Sequence, residues 1–396
     1  MTLQGHVYKE NHVHAFQNGV VYILPPTDTR LGAVKDVMEG KPRPERYLFY
    51  GLDYLARQGL NVTDNIRDYR PPTFFTWRAL QIYRLFIKTI GTYGGALEWV
   101  LPHRSSCAST RLLFVYSDRL MFPLINMRRT GLLPRVPTVY IAMGLPEKFE
   151  QFRNKSRLPR HLAEFGRLEK IISLSKTQAD TLRNNYGLTN VEFICDGVDT
   201  GYFMPIDTVQ DVDVLSIGAD PFRDFKTLLN VATKLPSLSF RIITSRSIAA
   251  TLADSPANVE VLIDRPMGEI RGYMARCQLL ALPVRDNTYS GATTVLLQAM
   301  SMGKAVVANP VGANKEGYPF IDGANCLMVR PGEPEALAAA VHSLMDNAAR
   351  RMAMGESARR TSIRALDING FHKRLFTVMQ DVLSTSSCPS AKTVTH

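Results

Sequence analysis

Apolar positions in the second half of the chain alternate between two patterns. Short continuous runs at Val212–Ile217, Leu238–Thr244, Val259–Ile263, Leu279–Pro283, Ala305–Ala308 and Cys326–Val329 read as strands. Between them, Phe225–Lys234, Ile248–Ala253, Met267–Arg276, Gly291–Met302 and Glu333–Met345 carry apolar residues at helical spacing. Unbroken apolar strands separated by helices predict βα units and a parallel sheet covered on both faces. Such a sheet binds ligands beyond the carboxyl ends of its strands. The first half repeats the pattern less regularly. Val20–Leu24, Leu112–Tyr116, Thr138–Ile141 and Ile171–Leu174 predict strands, and Pro44–Gln58, Thr76–Ile90 and Thr177–Tyr186 predict helices. Val191–Pro205 holds an Asp-Gly turn signal between the two halves and reads as a linker. Asp367–Leu383 predicts a terminal helix. Ser384–His396, polar and rich in Ser and Thr, reads as a disordered tail. No repeat of the length typical of solenoids is visible.

With 396 residues, of which 45% are hydrophobic and 21% charged, this is an ordinary globular composition with room for more than one core. No apolar run is long enough to span a bilayer. Met1–Gly19 is polar and lacks the apolar region of a secretory leader. The five cysteines are widely separated, which supports neither a zinc site nor a disulfide framework and fits a reducing cytoplasm. Charge changes the picture more. The net charge is +11, with +9 over Met1–Thr200 and +2 over Gly201–His396. A basic half beside a near-neutral one points to an anionic partner on one side, or to a solvated basic face with none. Within the basic half, FFTWRALQIYRLFIKTI (Phe74–Ile90) interleaves aromatic and apolar residues with Arg78, Arg84 and Lys88. It reads either as a core helix or as one lying on an anionic membrane. A nucleic-acid partner is not expected, because the basic stretch carries no recognition motif.

Candidate chemistry concentrates at two strand-to-helix junctions. In the first, LPVRDNTYSGATTVLLQAM (Leu282–Met300), a polar loop with Arg285 leads into the small residues Ser290, Gly291, Ala292, Thr293 and Thr294 at a helix start. Free amides there, helped by the helix dipole, suit an anion, and small side chains let a phosphate approach. A plain turn that needs glycine for packing explains the same residues. The second, GADPFRDFKTLL from Gly218, places Arg223 and Lys226 near a helix start. Cations in that position oppose the dipole unless a ligand brings negative charge. His12 and His14 form an H-x-H pair on a polar N-terminal stretch, where a mobile end is the plainer reading, and no metal site is expected. His103 beside Arg104 is a weak catalytic candidate.

Three stretches of the second half together resemble the retaining glycosyltransferases of family 4. CDGVDTGYFMP (Cys195–Pro205) is similar to that family's N-G-V-D-x-x-x-F-x-P segment. SGATTVLLQAMSMGKAVVA (Ser290–Ala308) resembles its E-G-x-G-x-x-x-x-E-A-M-A-x-G-x-P-V-V motif. DGANCLMVRPGEPEALAAAV (Asp322–Val341) resembles its D-G-x-N-G-x-L-V-x-P-G-D motif with the helix that follows. The resemblance implies an α/β chain of GT-B fold, with two facing Rossmann-like doubly wound domains. The N-terminal acceptor domain would cover 1–196 and the nucleotide-sugar domain 197–366. The helix 367–383 would return to the first domain, with 384–396 as the tail. It also implies transfer of a sugar from a nucleoside-diphosphate donor of UDP or GDP type, with retention, no metal and no further cofactor. The acceptor would be a lipid or glycan, and the enzyme cytoplasmic, with peripheral membrane contact in view. By position, Gly218, Arg223, Lys226, Arg285 and Ser290–Thr294 would hold the diphosphate, and Gln298 the ribose.

Four positions depart from the family pattern. Its two glutamates, which contact the sugar and the ribose, are Ser290 and Gln298 here. Its Gly-Arg pair is Gly218-Ala219. Met143-Gly144 stands where a histidine is frequent, and Pro25–Gly32 replaces a glycine-rich loop. These departures leave no assigned catalytic residue beyond the weak candidates Ser290 and His103. They keep two other functions open: a non-catalytic binder of nucleotide sugars or glycans, and a nucleotide-sugar epimerase. The sequence fixes neither the base, the sugar nor the oligomeric state.

Overall fold

The structure, a computed structural model, describes residues 19–27, 30–31, 46–66, 69, 73–89, 91, 93–152, 155–289 and 291–386. His12, His14 and Ser290 therefore lie outside the described residues. The chain divides into two compact units. The first comprises 1–173, 179–193 and 372–396, and the second comprises 174–178 and 194–371.

The first unit is built on a six-stranded sheet of β1 (Val20–Ile23), β2 (Val62–Asp64), β3 (Leu112–Tyr116), β4 (Thr138–Ala142), β5 (Lys170–Ser173) and β6 (Val191–Phe193), in the order β2-β1-β3-β4-β5-β6. Every pairing is parallel. β1 and β4 are buried along their whole length, as apolar strands covered on both faces must be. The linker predicted at Val191–Pro205 thus begins with an edge strand. The helix predicted over Pro44–Gln58 is broken among its described residues into Arg46–Phe49 and Leu52–Arg57. Tyr50 and Gly51 both turn left-handed there, at φ 46° and 80°. A Cβ on Gly51 would lie 3.3 Å from the His372 ring, so the break also makes room for that side chain. The helix Asp118–Arg129 goes unpredicted because Pro123 sits inside it. Proline has no N–H for the Arg119 carbonyl, which instead accepts from the Ala96 amide at 2.7 Å.

The second unit carries β7 (Val212–Ile217), β8 (Phe240–Thr244), β9 (Val259–Ile263), β10 (Cys277–Leu282), β11 (Ala305–Ala308) and β12 (Leu327–Met328). Their order is β12-β11-β10-β7-β8-β9, again all parallel. Its core packs Val214, Leu279, Ala281 and Val307 against Leu228, Val231, Leu337 and Val341 of the helices Phe225–Lys234 and Pro334–Met345. The unpredicted helix Ala348–Ala365 has a weak apolar stripe and an internal glycine. The glycine is required, since a Cβ on Gly355 would stand 2.1 Å from the Gly303 carbonyl oxygen. The last helix, Ile368–Ser386, runs past the predicted end at Leu383, and 387–396 lie outside the described residues.

Two of the three motif stretches turn out to build turns. In Cys195–Pro205 the Asp199 carboxylate accepts from the Gly201 and Tyr202 amides, both at 3.1 Å. The fully buried Phe203 follows. Gly197 must lack a side chain because its Cβ would come within 2.9 Å of the Ile368 backbone. In Asp322–Val341 the Asn325 side chain accepts from the Ile321 amide and donates to the Pro319 carbonyl, closing a loop on itself.

Candidate functional site at the strand-order reversal of the second sheet

In the second sheet the chain runs outward from β7 through β8 to β9, then restarts on the other side of β7 with β10. In parallel sheets of this kind, ligands bind beyond the carboxyl ends of the two strands at such a reversal, here β7 and β10. Both predicted junctions fall there, and the structure brings them together. The backbones of Arg223 and Val284 bridge antiparallel. The Asp224 amide donates to the Pro283 carbonyl at 3.0 Å, and the Arg285 amide to Phe222 at 2.8 Å. The Tyr289 hydroxyl reaches Asp220 at 2.9 Å, with its ring edge-on to Phe222.

The two helix starts differ. Helix Phe225–Lys234 is closed by its own Asp224, whose carboxylate accepts from the Thr227 amide and hydroxyl at 3.2 and 2.6 Å. That cap supplies the negative charge the dipole favours, so these amides need no ligand. The N-cap residue of helix Thr293–Ser301 is Ala292, which makes no side-chain cap bond. It begins at Thr293, not at Gly291, and Ala292 before it is left-handed at φ 61°. The missing side chain of Gly291 answers to packing. A Cβ there would meet the Asn314 side chain at 2.4 Å, and Asn314 donates to the Gly291 carbonyl. Asn314 also accepts from the Thr293 hydroxyl at 3.0 Å, holding the first helical residue. Thr294 is exposed.

Arg223 is the most unusual group of the site. Its side chain folds back over Gly218, and a Cβ on that glycine would lie 2.0 Å from the Arg223 Nε. The residue is 9% exposed, yet Nε and Nη1 have no hydrogen-bond partner among the described residues. Burial lowers the guanidinium pKa to about 10, only partly offset by Asp220 nearby. A buried cation without partners is costly unless something supplies the anion. Gln298, in the second turn of the uncapped helix, is 3% exposed.

The other predicted residues are placed differently. Lys226 is exposed on the capped helix. Arg285 is exposed, donates to the Pro221 carbonyl and lies over the Phe222 ring at 5.8 Å, so it braces the β7 loop. His103 belongs to the first unit and ends a turn, Leu101–His103, that leads into the short helix Arg104–Ser109. Asn309, missed in the sequence, links three loops of the second unit: it accepts from the Val284 amide at 2.5 Å and donates to the Val329 carbonyl at 2.6 Å. Its only signal was a polar residue directly after the strand Ala305–Ala308.

Comparison with known families bears directly on this unit. Residues 220–347 match the family described as Glycosyl transferases group 1. The match begins beside Arg223 and runs through the uncapped helix. No curated protein matches the chain significantly. Among solved structures, sucrose-phosphate synthase (tll1590) from Thermosynechococcus elongatus superposes with a TM-score of 0.69 at 13% identity, over 93% of this chain and 100% of that one. Anabaena Alr3699/HepE in complex with UDP and glucose gives 0.67 at 14%, over 92% and 100%. A second HepE structure, in complex with UDP-glucose, gives 0.66 at 14%, over 92% and 99%. These likenesses establish the fold, which is GT-B.

Proposed function

We propose that the chain is a retaining glycosyltransferase that takes its sugar from a nucleoside-diphosphate donor of UDP type. The observation that carries this reading is the Arg223 guanidinium, buried with no partner among the described residues for Nε and Nη1, at the reversal point of the segment that matches group 1 glycosyltransferases. The donor diphosphate supplies the missing anion. Arg223 binds it through charge-assisted bonds, and the uncapped amides at Thr293 and Thr294 add the helix dipole. Gln298, buried in the second turn of that helix, offers its amide to the ribose. The HepE structures, which hold UDP or UDP-glucose, support the choice of base.

In this reading catalysis is electrostatic. Negative charge grows on the departing diphosphate and meets donors already in place. A leaving phosphate oxygen takes the acceptor proton, so no protein base is required and retention follows. Arg223 and the helix amides carry the diphosphate charge, so activity persists in EDTA. The acceptor, a lipid or a glycan, is assigned to the basic first unit.

The test is turnover of UDP- and GDP-sugars with lipid and glycan acceptors, with the product's anomeric configuration read by NMR. Acceptor-dependent UDP release with retention supports the reading. Inversion overturns retention. Donor binding without turnover on any acceptor leaves the non-catalytic binder, and deuterium uptake into the donor sugar from heavy water identifies an epimerase.

A further inference from the structure

Helix Phe74–Thr89 of the first unit has two apolar faces, and among the described residues only one is packed. The inward face holds Leu80 and Ile87, 4% and 8% exposed. Ile87 packs on Gly94, where a Cβ would come within 2.8 Å of it. Tyr83 joins them: its hydroxyl donates to the Gly94 carbonyl at 3.4 Å and accepts from Asn126 at 3.3 Å. The outward face presents Trp77, Ile82, Leu85 and Phe86, which are 47%, 71%, 66% and 60% exposed. At about 100° per residue these four span roughly half the helix circumference. Scattered exposed apolar residues are ordinary, but four on one helix face form a contiguous patch.

The charges on this helix decide the occupant. Its sequence contains no acidic residue. Lys88 is exposed on the same arc as the apolar patch. Arg84, at its edge, pairs with Glu98. A protein partner would need an apolar surface with matching acids. A bilayer supplies both, with acyl chains for the apolar residues and anionic headgroups for cations that reach upward along the helix. The +9 charge of Met1–Thr200 draws the same half of the chain toward a negative surface. With 16 residues the helix is about 24 Å long, short of a hydrocarbon core of about 30 Å, so it lies on the membrane and does not cross it.

We propose that the outward face of this helix seats the protein on an anionic lipid bilayer, with Trp77, Ile82, Leu85 and Phe86 entering the acyl boundary. The claim is independent of the donor reading, because it needs no nucleotide sugar. The test uses the full chain and vesicles of phosphatidylcholine with or without phosphatidylglycerol. Sedimentation is expected only with the anionic vesicles and to weaken at high salt. Leu85→Glu/Phe86→Glu is expected to lower the vesicle partition coefficient about a hundredfold at unchanged Tm. Lys88→Gln, which keeps the apolar face, is expected to lower it severalfold.

Insertion has its own readout. Trp77 and Trp99 are the two tryptophans of the chain. Trp99 is half-buried under the Arg119 guanidinium, 4.6 Å from its ring. In a Trp99→Phe background, brominated acyl chains should quench Trp77. Three results overturn the proposal: no binding to anionic vesicles, binding unchanged in Leu85→Glu/Phe86→Glu, or a dimer in sedimentation analysis that this double variant dissolves.

Discussion

Each sheet has one point where the strand order reverses, and at each point an arginine is buried. In the first sheet it is Arg30, 6% exposed, beyond the end of β1. Its Nε donates to the Leu48 carbonyl and its Nη1 to Pro25, both at 3.0 Å. Its guanidinium lies over the rings of Tyr50 and Tyr116, at 5.8 and 5.2 Å. In the second sheet it is Arg223, equally buried, with Nε and Nη1 unpartnered. Position in the fold is the same, but one cation has acceptors among the described residues and the other has none there for Nε and Nη1. In the proposed reading, a reversal point alone does not make a binding site, and the unsatisfied charge distinguishes the second from the first. The first unit also partners its buried acid. Asp118 accepts from the Tyr140 hydroxyl and from the Met143 amide, where the family frequently has a histidine.

The comparison can be broken at several places. Arg223→Ala is expected to raise the donor KM about a hundredfold, the loss of charge-assisted hydrogen bonds worth about 3 kcal/mol. The ligand-free Tm should stay level or rise, because a buried unpaired cation is removed. Arg30→Ala should do the reverse: calorimetric unfolding loses about 2 kcal/mol, while donor KM changes less than about twofold. Gly218→Ala leaves the guanidinium in the chain but puts a methyl group where it rests, so donor KM should rise about tenfold with little change in kcat.

The smallest effect concerns protons in the first unit. His161 is 1% exposed among Phe122 and Phe152, and burial, with Arg129 and Arg157 nearby, lowers its pKa to about 4. The unfolded chain takes up that proton near pH 6.5 and the folded chain does not. Stability from His161 is thus complete above about pH 6.5 and lost as pH falls toward about 4. Asp118 works in the other direction. Burial raises its pKa to about 6, so the folded state gains relative stability as pH falls from about 6 toward about 4. His161→Gln should leave only the second trend. Denaturant unfolding at pH 7 and pH 5 should show the variant gaining about 1–2 kcal/mol relative to the wild type.

Much of the second unit was legible because its strands are continuous apolar runs and its helices have clear stripes. Phe225–Lys234, Met267–Arg276 and Val259–Ile263 fall where periodicity puts them. What escaped was tertiary in origin. Helix Asp118–Arg129 hides behind Pro123, and Ala348–Ala365 behind Gly355, and in both cases a distant backbone explains the residue. The site was half legible. Arg223 and Gln298 stood out by motif position, but nothing in the sequence says that Asp224 closes one helix start while the N-cap residue of the other makes no cap bond. Gly291, which suggested phosphate approach, answers to Asn314, a residue far along the chain.

The most direct test of the central claim is a thermal-shift titration with UDP on the wild type, Arg223→Ala and Arg30→Ala. A ligand at 100 times its Kd adds about 2.7 kcal/mol to the folded state, which is readily visible. The account predicts that UDP stabilises the wild type and Arg30→Ala alike and leaves Arg223→Ala unmoved. An Arg223→Ala protein that shifts as far as the wild type would contradict it.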